Sequence, residues 1–252
     1  MKEKLDRWLR IIFLSAILSS ALGCGAYLGD TREVEHNLDT RFYSFNSITI
    51  LNSLEEGNSA VFTAMKKTPQ PLAHIPRVTV PWTQSDYLRV AQAIQKSVWN
   101  EPIEALRLSD AIFTVDCSDI GQNVFSMAVF TFYKMVQKEG VETRIQYIIR
   151  IIPSENYIRT SRAEYYPNAR VLEPTELGQY PITAEKALKI ADENGGARIR
   201  FENENSCMID GVVNGLDGWI VLYQTKNEYS WESVYEITIN PQTGSFKVIR
   251  PK

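Results

Sequence analysis

The sequence predicts an α+β protein built from two helix-plus-antiparallel-sheet units that follow an N-terminal signal segment. Three observations support this prediction: a helix that starts at Thr183, strand-like alternation after it, and a tight turn at residues 240–244. The same order of elements begins at Thr83, 100 residues earlier, with few identical residues. A helix followed by strands is typical of α+β folds, and its repetition is consistent with a divergent duplication.

The segment after Thr183 has the composition of a short helix with one apolar face. The Thr183 hydroxyl is placed to accept a hydrogen bond from the first turn, and Glu185 puts a negative charge at the positive end of the helix dipole. Gly195 and Gly196 supply the positive φ that commonly ends a helix. The apolar face recurs at i, i+3, i+4 and i+7, through Ala184, Ala187, Leu188 and Ala191. This pattern predicts a helix packed on a sheet.

Strands are predicted after this helix. Trp219 and its neighbours form an apolar alternating run, which indicates a strand with Trp219 in the core. Residues 234–239 alternate large apolar side chains with Glu236 and Thr238. The segment NPQTG at residues 240–244 then predicts a hairpin turn, because Gly244 can adopt a positive φ.

The segments ITAEKALKIA, WIVLY and YEITINPQTGSFKVI, all within residues 181–250, resemble the PepSY-like domains of secreted and envelope proteins. The resemblance implies a PepSY-like or cystatin-like shape, in which one helix packs on a small antiparallel sheet. It also implies inhibitory or regulatory binding to a protein or peptide, and it supplies no catalytic residue to carry over. The chain as a whole resembles bacterial lipoproteins with such a domain at the C-terminus.

The first unit is predicted from a second capped helix and three strand segments. Thr83 and Asp86 provide the start of the helix, and strands are expected within residues 106–115, 123–136 and 142–152, with a turn at residues 138–140. The predicted divisions of the chain are a signal peptide (1–23), a tether and extended connection (24–80), a first α+β unit (81–160), a linker (161–180) and a PepSY-like unit (181–252).

Residues 1–23 have the features of a bacterial signal peptide. Four basic residues precede an uncharged run over residues 11–22, and Cys24 follows Gly23 directly. This arrangement resembles the lipoprotein box, which implies that Cys24 carries the lipid and becomes the mature N-terminus. An uncleaved anchor and ordinary secretion with nearby cleavage are the alternatives, since residues 11–29 are uncharged over nearly the length of a membrane span.

All three alternatives place residues 30–252 on the extracytoplasmic side of a membrane, in the cell envelope. The whole chain has a formal net charge of −3, and removal of residues 1–23 leaves 23 basic and 28 acidic residues, a net charge of −5. Such a chain is not expected to bind nucleic acid, which requires a basic face. Its expected contact with the membrane is the lipid anchor.

Cys117 and Cys207 form an even pair once Cys24 is assigned to the lipid. In an oxidising compartment such a pair is expected to form a disulfide that closes a loop of about 90 residues. The chain-entropy model gives such a bridge roughly 4 kcal/mol of stabilisation. Two separate thiols are the alternative.

The sequence contains no familiar catalytic or metal-binding pattern. The two histidines, His36 and His74, lie in the tether and in a proline-rich connection, away from zinc-ligand spacings. The acidic clusters at residues 116–119 and 202–204 do not match a calcium loop. We therefore expect no enzyme activity, no cofactor and no metal, with a hydrolase that uses carboxylates alone as one alternative.

Aromatic side chains in loops are the best candidates for contact with a partner, and we assign this role to Tyr229 and Trp231. Other aromatic residues that could line a groove are Trp82, Trp99, Tyr165 and Tyr166. The function expected from the sequence is that of an extracytoplasmic, lipid-anchored binding or regulatory module for a protein or peptide. A protease inhibitor or folding modulator is the second alternative.

Overall fold

The described part of the chain folds around one large antiparallel sheet. The structure, a computed structural model, describes residues 36–65, 80–120, 124–165, 173–203, 206–227 and 230–250. The strands are β1 (His36–Ser44), β2 (Thr63–Ala64), β3 (Arg107–Asp116), β4 (Met127–Lys138), β5 (Val141–Ile152), β6 (Tyr157–Tyr165), β7 (Cys207–Asn214), β8 (Gly218–Lys226), β9 (Trp231–Ile239) and β10 (Phe246–Arg250). Their order across the sheet is β10-β9-β8-β7-β3-β4-β5-β6-β1-β2.

The α-helices within the described ranges are α1 (Ile50–Glu55), α2 (Gln84–Trp99), α3 (Ala184–Ala191) and α4 (Ala197–Glu202). A π-helical turn, Asp192–Gly196, joins α3 to α4. The helices pack against one face of the sheet, which we call the inner face, and they share one hydrophobic core with it. Tyr87 of α2 and Phe113 and Trp219 of the sheet are fully buried in this core. The opposite, outer face carries no described helix.

The prediction of two helix-plus-sheet units is wrong. β3 and β7 pair directly, from Asp110 with Asn214 to Asp116 with Met208, so that the strands of both predicted units belong to one ten-stranded sheet. Alternation within a strand indicates which of its faces is buried, but it does not indicate which strand lies beside it. The sequence pattern therefore left the contact between β3 and β7 undetermined.

Three further strands lie wholly or partly where the sequence pattern predicted connections. β1 and β2 fall within the predicted tether, and β6 runs across the predicted boundary at residue 160, from the first unit into the linker. The inward-facing positions of β6 include Thr160, which is only 1% exposed, beside the apolar Ile158. A polar residue at a buried position weakens the apolar alternation on which a strand prediction depends.

Several local predictions are confirmed. α2 begins after Thr83 with a capping box to Asp86. The apolar stripe of α3 is buried. Glu139 and Gly140 both have positive φ between β4 and β5, and Gly244 has φ +74° in the β9–β10 hairpin. Gly195 also has positive φ, but the chain continues from there into α4 instead of leaving the helical layer.

The starts of α2 and α3 are held together by hydrogen bonds between the two helices. Thr183 occupies the N-cap position of α3, but its hydroxyl makes no capping bond, contrary to prediction. Instead, the Gln84 side-chain oxygen accepts from the Ala184 backbone N–H at 2.7 Å. Glu185 in turn accepts from the Gln84 backbone N–H at 2.7 Å. Each helix therefore supplies an acceptor for the unpaired donors at the start of the other.

The end of α2 is attached to the sheet by charged groups. The Glu101 carboxylate accepts hydrogen bonds from Lys134 of β4 and from the Tyr147 hydroxyl of β5, the latter at 3.0 Å. Trp99 packs edge-on against the Tyr147 ring with centroids 4.9 Å apart. Burial alone would raise the pKa of Glu101. The hydrogen bonds from Lys134 and Tyr147, together with the positive charges of Lys134 and Arg162, lower the pKa by more than burial raises it. The pKa of Glu101 therefore lies below its usual value.

The end of α3 approaches the sheet more closely. Arg200 of α4 binds both carboxylate oxygens of Asp192, at 3.2 and 2.9 Å, and the Tyr223 hydroxyl donates to Asp192 at 3.4 Å. The Tyr235 hydroxyl donates to the Asn194 carbonyl at 2.6 Å. Gly196 lies against the Tyr223 ring, where an added Cβ would stand 2.1 Å from the hydroxyl oxygen. Burial raises the pKa of Tyr223.

The predicted disulfide is confirmed. Cys117, just past the end of β3, is bonded to Cys207, the first residue of β7, with 5.4 Å between their Cα atoms. The Cys117 backbone N–H also donates to the Cys207 carbonyl at 3.2 Å. The bridge therefore joins the two strands that meet in the middle of the sheet.

The expected signal peptide and the Cys24 lipidation site lie outside the described residues and stay predictions. Among the helices that the structure describes, none combines the length and the apolar character needed to cross a membrane.

Candidate functional site at the open edge of the sheet

β10 forms an edge of the sheet and combines free backbone groups with exposed apolar and basic side chains. It pairs with β9 from the Phe246–Ile239 pair to the Arg250–Glu236 pair, and no described strand lies on its other side. Phe246 and Ile249 are 48% and 45% exposed. Lys247 is exposed between them. An edge of this kind is a template for another extended chain.

The opposite edge carries features that discourage the addition of a strand. β2 has only two residues and pairs with Tyr43 and Ser44 of β1. A register shift interrupts β1 between Asn37 and Asp39, and Arg41 donates to the Asp39 carboxylate at 2.6 Å. Short strands, bulges and charged side chains are the usual protection of a sheet edge. β10 has a register shift as well, before Arg250, but it keeps two large apolar side chains in solvent.

Trp231, one of the two predicted partner contacts, lies on the side of the sheet that β10 borders. It is the first residue of β9, pairs with Lys226 of β8 and is 43% exposed. β10 pairs with β9 only as far as Glu236, so Trp231 lies beyond the last described pair. Tyr229, the other predicted contact, lies outside the described residues. The structure therefore places Trp231 in line with β10 along the same edge.

A groove of about 460 Å³ lies at the other end of β10. It is formed by the β7–β8 turn and the β9–β10 turn, and its lining includes Tyr180, Asn214, Asp217, Phe246 and Lys247. The Asn214 side chain accepts from the backbone N–H groups of Leu216 and Asp217, at 2.9 and 2.7 Å, which fixes the first turn. The groove is therefore mostly polar, with Phe246 at its border with the edge.

Pro241 sets the distance between the two turns that form this groove. It packs so closely on Gly218 that an added Cβ would lie 2.6 Å from the proline ring, and Gly218 has φ +72°. A side chain at this position would be strained and would also push the turns apart.

The other aromatic residues singled out in the sequence do not join this site. Trp219 is fully buried, as predicted, and Trp82 is 4% exposed in the core. Trp99 is partly buried at the end of α2. The side chain of Tyr165 and the whole of Tyr166 lie outside the description. Trp231 is thus the one predicted aromatic contact that the structure describes at this edge.

The acidic and histidine positions form no described metal site. Asp116 ends β3, Asp119 follows it in a turn, and Glu202 pairs with Arg198 at 2.9 Å. His36 begins β1, while His74 and Glu204 lie outside the described residues. Within the described ranges, no group of three or more histidine, cysteine, aspartate or glutamate side chains could hold a metal ion.

Sequence reasoning missed several partly buried charged groups. Lys134 occupies an inward-facing position two residues after Phe132, where the apolar stripe of β4 is interrupted. This interruption is the sequence signal for the cluster of Glu101, Lys134 and Tyr147. Asp110 and Asp210 lie on the outer face, bonded to hydroxyls of Ser109 at 2.5 Å and Thr114 at 2.6 Å. Burial raises the pKa of both carboxyl groups. These groups lie away from β10, in the interior strands of the sheet.

Comparisons with known proteins do not assign this chain to a family. No family model matches it, and no curated protein matches it. A similar solved structure is that of the full-length peroxisomal multifunctional enzyme type 2 from Drosophila melanogaster, at 11% identity and a TM-score of 0.22. The match covers 83% of this chain and 46% of that enzyme. A TM-score this low is too weak to support a common fold, and the resemblance to PepSY-like domains stays a prediction.

Proposed function

We propose that this protein is a non-enzymatic, envelope-anchored binding module that captures an extended segment of a partner protein as an additional strand on β10. The observation that carries the proposal is the open β10 edge, where Phe246 and Ile249 stay about half exposed beside free backbone groups. Strand addition is a recurring mode of peptide recognition, in which backbone hydrogen bonds supply affinity and side-chain pockets supply specificity.

The dimensions of the edge set the length of the segment. Five residues of β10 span roughly 17 Å, at about 3.4 Å per residue in an antiparallel strand. A peptide of five to seven residues would therefore cover β10 from the groove toward Trp231. The groove next to Phe246 would receive the end of the peptide or one polar side chain.

The charges of the edge favour an acidic peptide. Lys247 and Arg250 are exposed along β10, and Arg250 is anchored by a hydrogen bond to the Ser233 carbonyl at 2.8 Å. The register shift before Arg250 places its side chain on the same face as Lys247, opposite Phe246. Acidic residues that alternate with apolar ones would therefore meet these cations on one face and Phe246 on the other.

The location proposed for the module is the extracytoplasmic side of a membrane, with the lipid on Cys24. Support comes from the signal-like sequence of residues 1–23 and from the Cys117–Cys207 disulfide, since disulfides persist mainly in oxidising compartments. The proposed anchor would keep the module close to partners at the membrane surface.

The test uses the full-length chain and a synthetic seven-residue peptide of alternating valine and glutamate. Binding is measured by fluorescence anisotropy, and contact is mapped by amide hydrogen exchange. We expect added protection of the β10 amides, and a loss of affinity of about tenfold in the double variant Phe246→Ser and Ile249→Ser. The matched control is Leu38→Ser with Ile48→Ser, which removes two exposed apolar side chains elsewhere.

A control peptide that keeps the glutamates but has proline in place of each valine retains the negative charge, lacks the valine backbone donors needed for strand addition and should not bind. Equal binding of the proline peptide, or protection confined to strands other than β9 and β10, would show that recognition does not use this edge.

A further inference from the structure

Two arginines lie side by side on the outer face, near the end of the sheet opposite β10. Arg150 of β5 and Arg159 of β6 are direct cross-strand partners, and both are exposed. Their neighbours Ile149, Ile151 and Ile158 are fully buried on the inner face. Since side chains alternate between faces, both guanidinium groups stand on the outer face, with Cβ atoms about 5 Å apart.

This placement of two like charges costs stability unless something compensates it. Like charges directly opposite one another on adjacent strands are destabilising. Within the described residues, neither guanidinium makes a hydrogen bond or an ion pair. By contrast, Arg41 and Arg200 each bind a carboxylate. Within the described residues, no carboxylate is thus paired with Arg150 or Arg159.

Two aromatic rings border the arginine pair. Phe42 of β1 is the direct cross-strand partner of Arg159, and Tyr157 lies two residues before Arg159 on the same face. The Phe42 and Tyr157 rings stack with centroids 6.0 Å apart and an interplanar angle of 16°. Both side chains are partly exposed. The pair of cations therefore stands beside an apolar wall that solvent reaches.

The charges of both arginines also act on the Tyr157 hydroxyl. Burial raises the pKa of Tyr157, the charges of Arg159 and Arg150 lower it, and the charge of Glu155 raises it. Glu155 is an acidic residue that borders the two arginines and Tyr157. Ser161 follows Arg159 by two residues on β6, so its side chain lies on the same face of the sheet.

We propose that Arg150 and Arg159 bind a soluble phosphate monoester whose apolar or aromatic body packs against Phe42 and Tyr157. A phosphate monoester has a charge of nearly −2 at neutral pH and three acceptor oxygens, which suits two neighbouring guanidinium forks. A carboxylate has one negative charge and two oxygens, so that a single arginine satisfies it. The ring wall adds affinity for a ligand that carries an apolar group next to its phosphate.

The site is independent of the β10 edge. Arg150 lies six strands from β10, on the order of 29 Å along the sheet at about 4.8 Å per strand. Substitutions at the arginines are therefore expected to leave peptide binding at β10 unchanged, and loss of one site does not imply loss of the other.

The test measures binding of phenyl phosphate to the full-length chain by isothermal titration calorimetry, with inorganic phosphate and benzoate as comparison ligands. We expect phenyl phosphate to bind most tightly, and the double variant Arg150→Gln with Arg159→Gln to lose at least about tenfold in affinity. The charge-matched control is Arg107→Gln with Lys226→Gln, two exposed strand positions elsewhere on the sheet, which should stay within about twofold.

Two further variants separate the parts of the site. Arg159→Lys keeps the charge but loses the planar fork, and it should also weaken binding. Phe42→Ser should reduce the preference for phenyl phosphate over inorganic phosphate. Equal losses in the two double variants, or benzoate bound as tightly as phenyl phosphate, would overturn the proposal. Arginine-dependent binding to vesicles of phosphatidylcholine with phosphatidate, without binding of phenyl phosphate, would overturn it in favour of a lipid surface.

Discussion

The ends of α2 and α3 are attached to the sheet by the same types of group, but in different ways. Each attachment uses a carboxylate, a cation and a tyrosine of the inner face: Glu101 with Lys134 and Tyr147, and Asp192 with Arg200 and Tyr223. At α2 the cation comes from the sheet itself. At α3 it comes from α4, and the helical backbone lies directly against a tyrosine ring at Gly196.

This difference shows two ways to fix a helix on a sheet. The α2 attachment depends on charge, because Glu101 and Lys134 are mostly shielded from water, with side chains 18% and 26% exposed. The α3 attachment depends on shape, because only a residue without a Cβ fits against Tyr223. The first should respond to pH and charge, and the second to a single added methyl group.

The largest expected effect is that of Gly196→Ala. The new Cβ would lie 2.1 Å from the Tyr223 hydroxyl and 2.2 Å from its ring carbon, so the ring or the helix must move. We expect the free energy of unfolding, measured by urea denaturation, to fall by about 3 kcal/mol or more. Gly178→Ala is the matched control, since its nearest neighbour is Leu88 at 3.9 Å, and it should change stability by less than about 1 kcal/mol. Similar losses in both variants would contradict a shape-dependent attachment.

The next largest effect is expected from removal of a cation in the α2 attachment. Lys134→Met leaves the shielded Glu101 carboxylate with Tyr147 as its hydrogen-bond donor, and it should cost about 1–3 kcal/mol. The matched control, Arg198→Met, breaks an exposed pair with Glu202 and should cost about 0–0.5 kcal/mol. Urea denaturation at pH 7 measures both, and equal costs would show that the α2 cluster is no more than a surface ion pair.

The pH dependence should separate the two attachments further. The pKa of Glu101 is lowered in the folded state, so its contribution to stability is present above the ordinary glutamate value of 4.5 and is lost as the pH falls through the folded-state pKa. Glu101→Gln should therefore be less stable than the parent at pH 7, by about 1 kcal/mol, with the difference shrinking below pH 4.5. Thermal unfolding between pH 3 and 7 tests this, and a difference that stays constant would contradict it.

An effect of similar size is expected from the loss of one hydroxyl at the end of α3. Tyr235→Phe removes the donor to the Asn194 carbonyl but keeps the ring against Tyr223, so it should cost about 1 kcal/mol. The measurement is the urea midpoint, together with hydrogen exchange in α3 and α4. A cost as large as that of Gly196→Ala would mean that the hydroxyl, and not the close packing, fixes this helix.

Much of the local structure could be predicted from the sequence, whereas the architecture could not. The buried stripe of α3, the capping box at Thr83 and the positive φ of Gly244 follow from patterns within a few residues. The β3–β7 pair joins residues about a hundred positions apart, and nothing local specifies it. The sequence near Thr183 likewise could not predict that Gln84, and not Thr183, accepts the hydrogen bond at the start of α3, because Gln84 belongs to another helix.

The candidate site was predictable only in part. Trp231 was identified as a partner contact from its position beside a polar loop, and it is exposed next to the edge. The edge itself depends on which strand has no neighbour, and a strand pattern in the sequence does not show that. The pairing of Arg150 with Arg159 likewise depends on the register between β5 and β6, which alternation alone leaves open.

The hydrogen bonds between Gln84 and the start of α3 limit how the gene can be shortened. A fragment that stops near residue 165 would retain α2 but would lose Glu185, and it would leave the long edge of β3 without β7. A fragment that starts near residue 173 would lose Gln84 and expose the matching edge of β7. Expression of either piece alone should give an aggregation-prone product, so truncation studies should keep both segments in one polypeptide or co-express them.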